Sequence, residues 1–306
     1  MGRRMDSGFA YAISAVLLWS TVASAFKITL RFTPPEWLLV YSALVSALVL
    51  WLVVLLQGKL GLFRELTGRD IVMTTFAGLL NPCAYYLVLF YAYDLLPAQE
   101  AQPLNYTWAI VLSIFSAVIL GERLSFKMFG GLLVSFCGVL VIATRGEISG
   151  MHFASPTGVS LAVGSSLIWA SYWVLNMKSR VDRSLRLALG FTAGFVFSLL
   201  IVYPVYGLHV PGTAGIAGCV YIGVFEMGIT FLLWDTALKR SSSTARTANL
   251  IYISPFLSLV WIHLLVGETI LASSIGGLVL ITAGIVLQRM SGPEVLKGSP
   301  LRRRGR

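Results

Sequence analysis

The sequence predicts an all-α integral membrane protein with ten transmembrane helices, arranged as two inverted repeats of five helices. Three observations lead to this fold class. The 306 residues are 57% hydrophobic and only 12% charged, with a mean hydropathy of +0.82, whereas soluble domains have about 25% charged residues. Apolar runs long enough to cross a bilayer follow one another with short connections. The second half of the chain also repeats features of the first half.

Ten apolar runs divide the chain, and each is close to the length of about 20 residues that crosses a hydrocarbon core. The runs are too long and too uniformly apolar for barrel strands, which alternate in polarity. A helix also satisfies its own backbone hydrogen bonds inside lipid. The predicted helices lie near residues 8–30, 35–57, 70–93, 98–120, 124–144, 156–178, 184–208, 214–238, 244–266 and 270–291.

A duplicated segment relates the two halves of the chain. Residues 121–131 read GERLSFKMFGG and residues 267–277 read GETILASSIGG, so that the matching Gly and Glu residues are 146 positions apart. Each copy follows the fourth apolar run of its half, and Trp19 in the first run matches Trp169 in the sixth. Features that recur at a nearly constant offset indicate a repeated structural unit. We therefore predict that the fold is a duplication.

An odd number of helices in each repeat forces the second repeat to enter the membrane from the opposite side. We predict one five-helix repeat in residues 1–147, an inverted repeat in residues 154–291 and a basic tail in residues 292–306. All but three of the 23 Lys and Arg residues fall on the side of the two termini. The positive-inside rule identifies this side as the cytoplasm, and the expected location is the inner membrane of a bacterial cell.

Charge, cysteines and motifs argue against several classes of function. The net charge of +10 comes from basic residues in short connections, which is a topology signal and not a nucleic-acid-binding surface. The three cysteines lie far apart in apolar runs, so no disulfide or metal site is expected. The sequence has no Walker loop, HExxH motif or nucleophile elbow. We expect no cofactor and no catalytic residue; the expected partners are a small-molecule substrate, the lipid bilayer and protons as a candidate coupling ion.

Glu226 is the clearest candidate for a functional residue, because it lies at the midpoint of the eighth run. An ionisable side chain at the centre of a membrane helix costs about 2.5–3.5 kcal/mol on insertion scales, and it indicates a functional site by default. The carboxyl group can bind a substrate ammonium group or carry a coupling proton. The alternative is a hydrogen-bonded carboxyl that joins two helices. Alignment of the repeats places Tyr85 opposite Glu226.

The third run is interrupted at its midpoint by Asn81 and Pro82. Proline removes a backbone donor and frees a carbonyl group, which is tolerated in lipid where neighbours or a cavity satisfy it. Tyr85 follows Asn81 by one helical turn and shares its face. This pattern predicts either part of a substrate path or a kink that serves packing.

The sixth run carries an aromatic stripe that begins near mid-membrane. Trp169, Tyr172, Trp173 and Asn176 recur at the spacing that places side chains on one helix face. Aromatic belts normally lie at the membrane interfaces, and Trp169 is deeper than that. The stripe predicts an aromatic wall for an apolar or cationic substrate, through stacking or cation–π contacts of roughly 0.5–2 kcal/mol. A packed or lipid-facing tryptophan is the alternative.

The predicted substrate path combines polar and aromatic residues from six of the runs. They are Trp19, Ser20, Asn81, Tyr85, Asn105, Tyr106, Trp108, Trp169, Trp173, Glu226 and Tyr252. Small hydroxyl residues such as Ser20 also allow close helix packing. Two further polar residues are predicted to be structural. Lys27 is expected to reach the outer headgroups, and Glu268 is expected to complement the dipole of the tenth helix.

Three features together resemble the drug/metabolite transporter superfamily, in its EamA-type branch. They are the five-plus-five duplication, the spacing from Gly8 to Trp19 that recurs from Gly158 to Trp169, and the repeated GE…GG segment. The resemblance covers about residues 8–291. Within the superfamily, the chain is similar to bacterial exporters of amino acids, including aromatic ones. The resemblance implies an inner-membrane exporter of small metabolites, with neutral or aromatic amino acids favoured. The inverted repeats imply alternating access through a central cavity.

Two other functions are weighed against this one. A multidrug or cationic-compound exporter with the same fold is the closer alternative. A membrane-embedded lipid-handling enzyme is the remote one, because such an enzyme needs clustered catalytic side chains. The histidines His152, His209 and His263 are far apart in the sequence.

Overall fold

A computed structural model describes residues 7–120, 126–147, 155–177, 179–241, 247 and 250–289, and these residues contain helices and no strand. The predicted all-α fold is therefore confirmed. The described helices group into ten segments, and these agree with the ten predicted runs. They are α1 (Ser7–Thr29), α2 (Pro35–Leu56), α3 (Gly68–Leu95), α4 (Ala98–Asn105 followed by Trp108–Leu120), α5 (Phe126–Ala143), α6 (Pro156–Met177), α7 (Arg183–Tyr206), α8 (Thr213–Arg240), α9 (Leu250–Val266) and α10 (Ala272–Arg289). The first copy of the GE motif, at 121–122, and the predicted tail at 292–306 lie outside the described residues.

Six of the described helices, α1, α2, α3, α6, α7 and α8, are long and apolar enough to cross a membrane. The apolar parts of α5, α9 and α10 are shorter, and α4 is interrupted at Tyr106 and Thr107.

Large apolar side chains face outward on the long helices, for example on α2 and α7. Leu48, Leu56 and Leu200 expose 63%, 77% and 65% of their surface. Exposed apolar surface of this extent indicates contact with lipid.

Local sequence chemistry explains where two of the spans begin. Thr67 and Asp70 form a capping box at the start of α3, in which each side chain accepts from the backbone N–H of the other. At the start of α7, Asp182 accepts from the Ser184 N–H and forms a 2.8 Å ion pair with Lys59. Burial raises the pKa of Asp182, but the Lys59 hydrogen bond and the helix amides outweigh it and lower the pKa below its ordinary value. The ion pair ties the α2–α3 connection to α7.

Helices α5 and α10 pack closely against each other through glycines, of which Gly131 and Gly277 belong to the repeated segment and Gly138 and Gly284 follow it. A Cβ atom on Gly138 would lie 2.6 Å from the carbonyl oxygen of Gly277, and a Cβ atom on Gly277 would lie 2.7 Å from the carbonyl oxygen of Gly138. Further along the pair, Gly284 contacts the backbone of Gly131. Small residues at such positions let two helix backbones approach closely. Gly276 is different, because a Cβ atom there would meet nothing within 4 Å.

Gly277→Ala is expected to destabilise the protein by about 1–3 kcal/mol, which is typical of overpacking. The added methyl group meets the backbone of α5, which cannot move aside as a flexible side chain can. Thermal unfolding of the purified protein in detergent micelles measures the effect. The neighbouring Gly276→Ala is the matched control, and it is expected to be neutral or slightly stabilising, since alanine favours the helix. Equal melting temperatures for the two variants would contradict the assigned α5–α10 interface.

Candidate functional site

Helices α3 and α8 are irregular near mid-length, and this irregularity shapes the centre of the molecule. In α3, the segment Leu79–Ala84 is kinked, and Asn81 has non-helical dihedral angles (φ −144°, ψ 117°). Pro82 is the cause, because it has no N–H to donate and its ring clashes with an earlier carbonyl group. In α8, the segment Ile222–Ile229 is π-helical. Irregular backbone at membrane depth is tolerated where it is buried in protein or faces a cavity.

A cavity of about 310 Å³ lies between α1, α3, α4, α6, α8 and α9. Most of its wall is aromatic, and Glu226 is the one charged side chain among the described residues that line it. The aromatic lining residues are Trp19, Phe26, Tyr85, Tyr93, Tyr106, Trp108, Trp169, Trp173, Phe231 and Trp234, and the polar ones besides Glu226 are Gln102 and Asn105. The cavity therefore offers aromatic faces and a single carboxyl group to a small molecule.

Glu226 lies in the π-helical segment of α8 and exposes only 9% of its surface. Its Oε1 atom accepts a 2.9 Å hydrogen bond from the hydroxyl group of Tyr86 on α3. Its Oε2 atom makes no hydrogen bond with the described residues, although the indole of Trp19 lies beside the carboxyl group. A buried carboxylate is costly unless it is paired with a cation or well hydrogen-bonded. The side chain is therefore suited to a ligand that brings a positive charge or a proton.

Aromatic rings from four helices form the wall around this carboxyl group. Trp169 on α6 lies 4.5 Å from Tyr85 on α3 and 5.8 Å from Phe231 on α8, measured between ring centroids. Trp19 on α1 completes the wall with contacts to Phe231 at 5.9 Å and Trp234 at 5.5 Å. These distances are typical of interacting aromatic pairs. The rings hold one another in place and present a stacking surface.

Asn105 fixes the position of the neighbouring wall. Its Oδ1 atom accepts from the hydroxyl group of Tyr85 at 3.2 Å, and its Nδ2 atom donates to the hydroxyl group of Ser165 at 2.8 Å. The amide thereby links α3, α4 and α6 at the point where α4 is broken. An amide has a further donor hydrogen and a further acceptor lone pair, so Asn105 retains capacity for a ligand.

Lys27 on α1 reaches the C-terminal end of α3. Its Nζ atom donates to the backbone carbonyl oxygens of Tyr93 at 2.6 Å and Leu96 at 2.8 Å. The prediction that Lys27 reaches the outer headgroups is therefore wrong. The last carbonyl groups of a helix lack intrahelical partners and attract a cation, and the end of α3 lies within reach of this lysine.

Glu268 caps a helix, but a different one from the helix predicted. Its Oε1 atom accepts from the backbone N–H of Ala98 at 2.7 Å, and its Oε2 atom accepts from that of Gln99 at 3.1 Å. The carboxylate thus caps α4 and not α10, because residues 267–271 are not helical and bring it to the start of α4. Gln99 reciprocates, since its Oε1 atom accepts from the N–H of Leu271 at 2.7 Å, just before α10.

Eight of the eleven predicted path residues line the cavity. They are Trp19, Tyr85, Asn105, Tyr106, Trp108, Trp169, Trp173 and Glu226. The other three do not. Ser20 donates to the carbonyl oxygen of Leu17 at 2.7 Å and accepts from the indole of Trp261 at 3.0 Å, which supports its packing alternative. Asn81 is buried in the irregular segment of α3, and Tyr252 lies half-buried in α9.

Among the site residues that were not predicted from the sequence are Tyr86, Phe231 and Trp234. Phe26, Tyr93 and Gln102 also line the cavity and were not predicted. Alignment of the repeats places Tyr85 opposite Glu226, and the residue that donates to Glu226 is the neighbouring Tyr86. Trp234 follows Glu226 by eight residues, and this helical spacing could have identified it. Phe231 follows Glu226 by five residues, and residues at this spacing do not share a face of a regular α-helix. The helix between the two residues contains π-helical turns.

The chain is similar to a transporter family and to several individual transporters and exporters. The sequence profile of the EamA-like transporter family matches residues 6–144 and again residues 156–290. The uncharacterised transporter YvbV from Bacillus subtilis is 29% identical over 276 residues, covering 89% of this chain and 88% of the relative. A probable terminal-alkyne amino-acid exporter from Streptantibioticus cattleyicolor is 29% identical over 234 residues, covering 75% and 76%. The aromatic amino acid exporter YddG from Ancylobacter novellus is 28% identical over 256 residues, covering 83% and 86%.

The fold also has a counterpart among solved structures. One crystal structure contains a chain that is 25% identical and superposes with a TM-score of 0.66, covering 93% of this chain and 97% of that one. The family matches extend over most of the sequence, and the matches to the named transporter and the two named exporters cover 88%, 76% and 86% of those relatives. The chain therefore belongs to the EamA-like transporter family and is a multi-pass membrane transporter, not an enzyme.

Proposed function

We propose that the protein exports small amine-bearing metabolites, with neutral or aromatic amino acids as its preferred substrates. The observation that carries this proposal is the single carboxyl group of Glu226 in a cavity walled by aromatic rings. The names of two relatives, a probable terminal-alkyne amino-acid exporter and an aromatic amino acid exporter, support the same substrate class.

The charge balance of the cavity favours a ligand with an ammonium group. No Lys or Arg is present among the described lining residues, so a charged Glu226 has no protein cation beside it in the wall. A ligand ammonium group supplies that cation, and a charge-assisted hydrogen bond is stronger than a neutral one. The rings of Trp19 and Trp169 add stacking or cation–π contacts of roughly 0.5–2 kcal/mol. A proton can neutralise the same carboxyl group, which offers a means of coupling export to a proton gradient.

The proposed transport cycle rests on an inverted duplication. In our proposal, residues 1–147 and 154–291 form the two five-helix repeats, and residues 292–306 form a basic cytoplasmic tail. Related halves of opposite orientation can exchange conformations, which provides alternating access to a central site. The basic residues support an inner-membrane location with both termini in the cytoplasm.

A second candidate function is the export of cationic drugs or dyes. The observation that favours it is also the absence of Lys and Arg from the described lining. The carboxylate of an amino acid would there meet neutral donors such as Asn105 and Gln102 and no cation. A cationic compound without a carboxylate avoids this mismatch.

Transport by purified protein in liposomes distinguishes the two functions. Radiolabelled phenylalanine, alanine and a cationic dye are offered separately, each with and without an imposed pH gradient. The proposed function predicts that phenylalanine transport is saturable and that an excess of competing unlabelled phenylalanine inhibits it. Transport of the dye alone would contradict amino-acid export and support the second candidate.

Trp169→Ala is expected to reduce phenylalanine transport by about tenfold more than alanine transport. The indole stacks in the cavity wall beside Tyr85, and a lost stacking contact of up to about 2 kcal/mol exceeds a tenfold change in affinity. The ratio of apparent KM values for the two amino acids measures the effect. Trp51→Ala is the control, because Trp51 donates to Thr192 away from the cavity and its loss should affect both substrates equally. An equal loss in Trp169→Ala would show that the indole serves folding.

A further inference from the structure

We propose that Tyr86 is a positioning residue that holds the Glu226 carboxyl group across the gap between α3 and α8, so that the site selects ligands with an ammonium group. This inference rests on the proposed role of Glu226 and adds the residue that makes it selective. Tyr86 does not line the cavity, so it acts on a ligand only through Glu226.

The aromatic surroundings of Tyr86 fix the direction of its hydroxyl group. The ring is fully buried, and its centroid lies 4.7 Å from that of Tyr85, 5.5 Å from that of Phe90 and 6.3 Å from that of Phe26. A ring packed on several sides has one accessible rotamer. The hydroxyl group therefore lies at a defined point, 2.9 Å from Oε1 of Glu226.

The hydrogen bond leaves the second oxygen of Glu226 for a ligand. Oε1 is occupied by Tyr86, whereas Oε2 makes no hydrogen bond with the described residues. A phenol is a neutral donor, so it orients the carboxyl group without cancelling its charge. A glutamate side chain that is already held in one rotamer loses less conformational entropy when it binds. Tyr86 thus raises the affinity for a cationic head group in particular.

The same bond joins the two irregular segments at the centre of the molecule. Tyr86 follows the kinked segment of α3 by two residues, and Glu226 lies within the π-helical segment of α8. A ligand that draws the Glu226 carboxyl group toward itself therefore acts on the contact between the first five helices and the last five. Ligand binding at Glu226 can thereby change the relative position of the two halves.

Tyr86→Phe tests the proposal with a matched pair of probes, 2-phenylethylamine and 2-phenylethanol. Their binding to the purified full chain in detergent micelles is measured by titration calorimetry. The variant is expected to bind 2-phenylethylamine about tenfold more weakly, equivalent to about 1.4 kcal/mol, with the affinity for 2-phenylethanol unchanged. Tyr91→Phe is the matched control, since Tyr91 also lies on α3 and donates to a glutamate, Glu36, at 3.0 Å. It should change neither affinity.

The outcomes separate this inference from the proposed function. In a Glu226→Gln background, Tyr86→Phe is expected to have no further effect on the ratio of the two affinities. Equal weakening of both probes by Tyr86→Phe, no weakening of either, or a loss that persists in the Glu226→Gln background would overturn the positioning role. If the unmodified protein does not prefer the amine to the alcohol, the proposed role of Glu226 fails, and this inference fails with it. The ratio of two dissociation constants does not depend on the folded fraction of a preparation.

Discussion

Glu226→Gln is expected to abolish transport against a concentration gradient when a pH gradient is the driving force, while substrate exchange continues at reduced affinity. Glutamine has nearly the same shape and keeps an oxygen that can accept from Tyr86, the partner of Oε1 at 2.9 Å. It can carry neither a negative charge nor a transported proton. A hydrogen bond to a charged group contributes about 1.5–3 kcal/mol, so the affinity for an amine-bearing substrate should fall by about tenfold to a hundredfold.

Proteoliposomes measure both activities in one preparation. Accumulation of labelled phenylalanine under an imposed pH gradient reports uphill transport, and counterflow at equal pH reports exchange. Glu36→Gln is the control, because Glu36 is also buried and also accepts from a tyrosine, Tyr91, but lies outside the cavity. It should retain both activities. Undiminished uphill transport by Glu226→Gln would refute proton coupling through this carboxyl group.

Glu268→Ala should destabilise the folded protein by about 2 kcal/mol. The half-buried carboxylate accepts from the N–H groups of Ala98 and Gln99 at 2.7 and 3.1 Å. Removing it leaves two donors at the start of α4 without their partner, and loss of a helix cap typically costs about 0.5–2 kcal/mol, or more where the capping group is charged. The substitution also removes the hydrogen bonds that join the start of α4 to the segment before α10. Thermal unfolding in detergent micelles measures the change.

Two variants make this measurement specific. Glu268→Gln retains one acceptor oxygen and is expected to have an intermediate melting temperature. Glu65→Ala removes an exposed carboxylate for which the described structure gives no hydrogen bond or ion pair, and its melting temperature should equal that of the unmodified protein. If Glu268→Ala also melts at that temperature, the capping contact does not stabilise the fold.

The reliable predictions from the sequence were those that depend on the lipid environment. A run of about 20 apolar residues has few alternatives to a membrane helix, and all ten predicted runs correspond to described helices. Glu226 was predicted for the same reason, because an ionisable group at mid-membrane must face the protein interior. The stripe of Trp169 and Trp173 was visible from helical spacing, and both residues line the cavity.

Pairings between helices were less predictable than the helices themselves. Lys27 was expected to reach lipid headgroups but contacts the backbone carbonyl groups at the end of α3. Glu268 was expected to act at the start of α10 but caps α4. Helix ends have unsatisfied carbonyl and N–H groups wherever they lie, and the side chain that meets them depends on how distant segments come together. No local spacing contains that information.

Hydrophobicity and helical periodicity are local properties, and they are enough to predict a helical membrane protein with a duplicated pattern, a carboxyl group at mid-membrane and aromatic residues near it. That Tyr86 donates to Glu226, and that Phe231 and Trp234 complete the aromatic wall, depends instead on the tertiary fold. The kink in α3 and the π-helical turns in α8 shift which residues face the centre, and such a shift depends on the packing of the surrounding helices.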